Sequence, residues 1–201
     1  VYCLICVRKI GFMKLEKKDW EWNGALFRKS FVLSLPVALM NSITALGVIF
    51  MQIAINGFGA VYIAAYSVAS KIIIIFEQLD VSFGTGAGTF AGQNLGAGKT
   101  GRIREGIHQV NLLLIGINLV IFGLMLVAGR PLIGLMVGNQ PAVIEAACQC
   151  IRFLTFFLMF LGTLWIYRTS LQSMSDTFWP MLSGVLEFAA RTIALLILPK
   201  L

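Results

Sequence analysis

Glu77 and Asp80 stand three residues apart within the apolar run Ala60–Ala91, with Gln78 between them. In a helix that spacing puts both carboxylates on one face. A charged group at the centre of a bilayer costs about 2.5–3.5 kcal/mol on insertion scales, so such residues are rare and commonly mark a path for ions or solutes. Two roles are open to the pair: lining a water-filled cavity, or pairing with a basic residue of another span. Lys71 precedes Glu77 by six positions, about 9 Å along a helix axis, so direct pairing within the helix is not expected. Glu187 and Arg191 lie at i, i+4 in the order that favours an ion pair. They read first as a structural pair that makes a polar stretch tolerable. Gln52 and Asn56 are also four apart and either line a cavity or bond a neighbouring helix. Lys71 and Arg152 either snorkel toward an interface or serve transport. His108, alone beside a basic segment, reads as an interfacial histidine.

Nothing in the chain has the spacing of a catalytic triad, a metal cluster or a phosphate loop, so no catalytic residue, enzyme activity, metal or cofactor is expected. Gly84-x-Gly86-x-Gly88 does not follow a strand, which removes the dinucleotide reading. Cys3-x-x-Cys6 has the spacing of a redox or zinc pair, but no second pair or histidine cluster completes it. Cys148 and Cys150 read as small apolar residues.

The elements that must carry these groups are membrane helices. Hydrophobic residues make up 58% of the 201 and charged ones 12%, against about 25% charged in a soluble domain. Five apolar segments follow the first loop: Phe31–Ile55, Ala60–Ala91, Val110–Ala128, Ala146–Tyr167 and Phe178–Leu198. About 20 apolar residues cross a hydrocarbon core of about 30 Å. All five are expected to be helices, since an open sheet edge has no hydrogen-bond partner in lipid. The glycines near the end of the second segment are expected to bend it or carry it past the membrane. The chain opens at Val1 inside the apolar run "VYCLICV", too short to span, and is expected to be a piece of a longer protein that begins in the tail of a preceding helix.

The connections sort by charge. Arg8–Lys29 holds Arg8, Lys9, Lys14, Lys17, Lys18, Arg28 and Lys29, with Trp20 and Trp22 as an interfacial belt. The segment Gly92–Ile107 holds Lys99, Arg102 and Arg104, and the link after Tyr167 holds Arg168. Alternating spans place these on one side, against Arg130 and Lys200 on the other, and the basic loops are expected to be cytoplasmic. The net charge of +7 is therefore topogenic and touches anionic lipid heads; no nucleic-acid partner is called for.

The stretches "AAYSVASKI" (Ala64–Ile72) and "GTFAGQNLGAGKTGRIREG" (Gly88–Gly106) closely resemble the multidrug and toxic compound extrusion (MATE) family. "FMQIAINGFG" (Phe50–Gly59) and "SLQSMSDTFWPMLSGVLEFAARTIA" (Ser170–Ala194) resemble it as well. The most specific part is the loop of Gly92, Gln93, Asn94, Gly96, Ala97 and Gly98. There Gly92, Gly96, Gly98 and Gly101 would free the backbone to turn, and Gln93 and Asn94 would bond carbonyls left open at the helix end.

The resemblance implies an all-α polytopic bundle, part of a two-bundle secondary transporter with six helices in each. Residues 1–7 would be the tail of the sixth helix, 8–30 a basic interdomain loop, and 31–201 the C-terminal bundle without its last helix. It implies export of organic, often cationic, compounds by antiport with sodium or protons across the cell membrane. A missing N-terminal bundle would be the partner that completes the cavity, with membrane lipids and small organic substrates as the other partners. A lipid-linked sugar flippase of the same superfamily and a non-transporting membrane scaffold are the competing readings. Family members carry coupling acids that this sequence lacks: neither Phe31–Ile55 nor Ala146–Tyr167 holds an Asp or Glu. Gln52, Asn56, Glu77, Gln78 and Asp80 are therefore candidates for a substrate or ion pathway on residue chemistry alone.

Overall fold

The computed structural model describes residues 22–197. Cys3, Cys6, Trp20, Lys200 and most of the basic segment lie outside the described residues. Five helices follow one another: α1 (Gly24–Asn56), α2 (Ala60–Gly96), α3 (Thr100–Val137), α4 (Pro141–Ser173) and α5 (Phe178–Ile197), with no strand among the described residues. Apolar side chains leave the backbone as the main polar burden of each segment, and a helix satisfies that burden internally.

Four of the five, α1 to α4, are long and apolar enough to cross a membrane. The fifth expected span forms a helix of 20 residues carrying Glu187 and Arg191 and is not among those four. The chain is thus a multi-pass membrane protein built as a helical bundle.

The first four helices extend beyond the bounds that hydropathy sets, at one end or both, while α5 runs Phe178–Ile197. The Asn23 side chain caps α1, accepting from the N–H groups of Ala25 and Leu26 at 3.1 Å each, so Arg28 and Lys29 belong to the first turns of α1, not to a loop. Arg102 and Arg104 likewise stand on α3, and the connection before it shrinks to Ala97–Lys99. The segment Arg130–Glu145 collapses to a turn at Gly138–Gln140, with Pro141 at the start of α4. Arg168, expected in a link, sits inside α4 and is buried. Hydropathy ends where lipid ends, but a helix continues as long as its own hydrogen bonds do.

α2, α3 and α4 pack on one another as a trio, with α2 lying along α4 most extensively. α1 packs chiefly on α5, and this pair meets the trio through the lesser contacts α1–α2 and α4–α5. One core cluster joins Ala65, Ala69, Ile72, Ile121, Ile133 and Ile151; a second, toward the other end, joins Ala87, Ala91, Ile103, Leu114 and Ile166. Apart from one face of α2, the outward faces are largely apolar, with Leu135 88% and Val127 82% exposed, as a lipid-facing surface requires.

The α2–α4 contact explains the glycines. A Cβ on Gly84 would meet the Trp165 carbonyl at 3.2 Å, one on Gly88 the Thr169 carbonyl at 2.9 Å, and one on Gly92 the Ser173 carbonyl at 3.2 Å. Gly84, Gly88 and Gly92 are each four apart, as are Trp165, Thr169 and Ser173, so two ridges run in register at backbone contact. The Thr169 hydroxyl donates across that contact to the Gly84 carbonyl at 2.6 Å. α2 therefore runs unbroken through its glycines to Gly96, and Gly92 serves packing, not the turn. The turn falls on Gly98, whose φ of +72° suits a residue without Cβ.

Candidate functional site

Asp80 is 0% exposed, at the crossing of α2, α3 and α4. The side-chain amide of Asn118, on α3 and 1% exposed, donates from Nδ2 to Asp80 Oδ1 at 3.0 Å and to the Leu158 carbonyl of α4 at 3.3 Å. Gly162 of α4 closes the site: a Cβ there would lie 2.9 Å from Asp80 Oδ1 and 3.0 Å from Asn118 Nδ2. Asp80 Oδ2 and Asn118 Oδ1 are buried without a hydrogen-bond partner. Few buried polar groups in folded proteins are left this way.

One turn earlier on α2, Glu77 is half-buried where the trio faces the α1–α5 pair. The charge that reaches it across that boundary is Arg191 of α5. Arg191 donates to Glu187 Oε1 one turn before it, and Arg168 of α4 donates to Glu187 Oε2 at 2.8 Å and to the Ser183 hydroxyl at 2.8 Å. The Ser183 hydroxyl in turn donates to the Pro180 carbonyl at 2.7 Å. The expected Glu187–Arg191 pair is thus present as part of a larger network in which one carboxylate serves two guanidinium groups. That network ties α4 to α5, and α1 packs beside it, with Gly47 next to the Arg191 side chain.

The other candidates lie apart. Gln52 donates from Nε2 to Asn56 Oδ1 at 3.1 Å, both exposed near the end of α1. Gln78 is exposed, as are Ser82, Thr85, Thr89 and Gln93 on the same helix. Spaced by three and four, these form one polar stripe on a face of α2 that the bundle does not cover. Each of the three hydroxyls bonds the carbonyl four residues back. In the motif loop, Asn94 donates to the Phe90 carbonyl at 2.9 Å and not to an open carbonyl at the helix end. Closure is by backbone: the N–H of Ala97 to the Gln93 carbonyl and that of Lys99 to the Asn94 carbonyl. Lys71, His108 and Arg152 are exposed. No group of three potential ligands among His, Cys, Asp and Glu gathers among the described residues.

Sequence reading missed Asn118 and Gly162 and misplaced Arg168. Asn118 carried a signal: an amide at the middle of α3, which has the highest mean hydropathy of the membrane-length helices among the described residues. Arg168 carried one too, since Ser183 and Glu187 present a polar face four residues apart just after it.

Comparison with known proteins agrees with this architecture. A relative, the probable multidrug resistance protein NorM of Neisseria meningitidis serogroup B, is 30% identical over 144 residues, which is 72% of this chain and 30% of the relative. A solved structure of a MOP superfamily transporter from Pyrococcus furiosus, described as having a binding pocket of reverse polarity that suggests a different function, superposes with a TM-score of 0.72 at 20% identity. The match covers 78% of this chain and 34% of that one, so the chain spans about a third of the length of each. The MatE family model matches residues 36–195, nearly the whole described bundle, and by that match the chain belongs to the MatE family.

Proposed function

We propose that this chain is part of a secondary transporter that exports organic, often cationic, compounds by antiport with sodium or protons. The observation that carries the reading is the uncovered polar face of α2: Gln78, Ser82, Thr85 and Thr89, with Glu77 beside them, on a helix whose other exposed residues include Ile74, Ile75 and Leu79. Such a stripe is disfavoured against lipid and suited to a wet cavity. Family membership and the likeness to the probable multidrug resistance protein of Neisseria support efflux of drugs as the activity. The wall opposite the stripe would come from a second bundle, and alternating access from one bundle rocking on the other. In this reading the Ala97–Lys99 turn is cytoplasmic, next to Arg102 and Arg104.

The experiment is efflux in a drug-sensitive host. A protein carrying this chain together with a first bundle should lower intracellular ethidium and norfloxacin, and the chain alone should not. Replacing Glu77 by Gln in the complete protein should weaken cation efflux by roughly tenfold or more, the effect of losing about 1.4 kcal/mol of favourable charge interaction, with protein level unchanged. Full efflux by Glu77→Gln, or none by the complete protein at normal membrane levels, would overturn the reading.

A further inference from the structure

We propose that Asp80 and Asn118 form a proton-binding pair, sealed at the crossing of α2, α3 and α4. The argument is a count of donors. Asn118 spends its amide donors on Asp80 Oδ1 and the Leu158 carbonyl. Asp80 Oδ2 and Asn118 Oδ1 remain as acceptors, both buried, with nothing to accept from. A buried acceptor left unpaired is destabilising, and more so when it is charged. A carboxylic acid and a primary amide can pair twice: the amide N–H to one acid oxygen, the acid O–H to the amide oxygen. The first of these bonds is present. One proton on Asp80 Oδ2 supplies the second, removes the charge and satisfies both orphan oxygens at once.

The surroundings isolate the pair. On α2 the near charge is Glu77, with Lys71 exposed further along. α3 brings Leu114 and Asn118, and its charged or titratable groups, Arg102, Arg104, Glu105, His108 and Arg130, lie toward its two ends and are exposed. α4 brings Leu158 and Gly162; its Arg168 is held by Glu187, while Glu145 and Arg152 are exposed. α1 carries Arg28 and Lys29 at its exposed start. The room for the pair exists because position 162 has no side chain. In the binding step the carboxylate takes one proton from water and gains an O–H bond; release returns that proton to water, and no other covalent bond changes. Glu77, one turn away at the trio's boundary, is the nearest acid between the pair and the polar stripe. Use of this proton to drive export rests on the transport reading above; its presence does not.

Infrared difference spectroscopy of the protein reconstituted in lipid tests the proposal. The probe is the carbonyl stretch of a protonated carboxylic acid, in neutral buffer, with isotope-labelled aspartate to identify it. Among the described residues Asp80 is the aspartate within a membrane-length helix, since Asp176 lies in the turn before α5. The expected result is an acid carbonyl band that moves with the label, is absent in Asp80→Asn, shifts to that of a non-bonded acid in Asn118→Leu, and persists when potassium is exchanged for sodium. Asp80→Asn keeps the side-chain shape and offers Asn118 Oδ1 an N–H, so it should fold; the labelled wild type decides the matter without it. Absence of the band in the labelled wild type, or its loss on adding sodium, overturns the proposal. A band present in a protein that exports nothing overturns only the transport reading.

Discussion

Glu187 is held by two arginines that differ in burial, and this sets what each substitution should do. Arg168 is 7% exposed at its side chain and Arg191 30%, while Glu187 is 19% exposed. Removing one partner of a buried pair strands the other charge, at a typical cost of about 3–5 kcal/mol. Glu187→Gln leaves the buried Arg168 charge with neutral acceptors only, so a loss in the lower part of that range is expected, seen as a large fall in thermal stability in detergent. Arg191→Gln leaves the Arg168–Glu187 pair intact and removes a partly solvated contact, expected to cost about 1 kcal/mol or less. Equal losses for the two variants would show that Arg168 does not depend on Glu187. The same logic separates Glu77 from Asp80. One is half-buried within reach of Arg191 and the other is sealed with an amide, so two acids on one helical face meet different chemistry.

The α2–α4 pair depends on the absence of side chains along a ridge. At Gly88 an added methyl would lie 2.7 Å from Ser173 Oγ and 2.9 Å from the Thr169 carbonyl, closer than packed atoms approach, and backbone cannot turn aside. Gly88→Ala should therefore force the helices apart, at about 1–3 kcal/mol, read as a lowered Tm of the purified protein. Gly86, two residues away on the open face, has nothing within 4 Å of a built Cβ. Gly86→Ala should be neutral or stabilise by up to about 1 kcal/mol, because alanine restricts the unfolded chain and favours the helix. Similar effects at both positions would mean that the ridge does not set the approach of α2 to α4.

The bundle divides into the trio α2–α3–α4 and the pair α1–α5, and the two polar systems divide with it. The Asp80–Asn118 pair lies within the trio; the Arg168–Glu187–Arg191 network bridges α4 to the pair. Orientation in the membrane is tested by labelling, in a background without the native cysteines. Under the positive-inside reading, cysteine at Gly57, in the turn after α1, should react with an impermeant thiol reagent in intact cells. Cysteine at Lys99, in the turn after α2, should react only after the cells are opened. The reverse pattern would invert the topology.

Helix identity and membrane residence were legible in the chain because both are local properties. Twenty apolar residues in a row require a lipid environment, and lipid requires a helix whatever the rest of the fold does. The motif around Gly92–Gly98 was legible for the same reason, as a fixed run of residues that marks a family. What these residues touch was not local. Hydropathy could not place the true ends of α1 and α3, whose first turns carry Arg28, Lys29, Arg102 and Arg104 beyond the apolar run. Nor could it show that Gly92 packs while Gly98 turns, since that depends on which face of α2 meets α4. Asp80 finds Asn118 38 positions away and Arg168 finds Glu187 19 away, pairings set by the relative rotation and register of packed helices. Those quantities are decided by the fit of whole faces, small residues against backbone and branched side chains against one another, and no single stretch of sequence contains them.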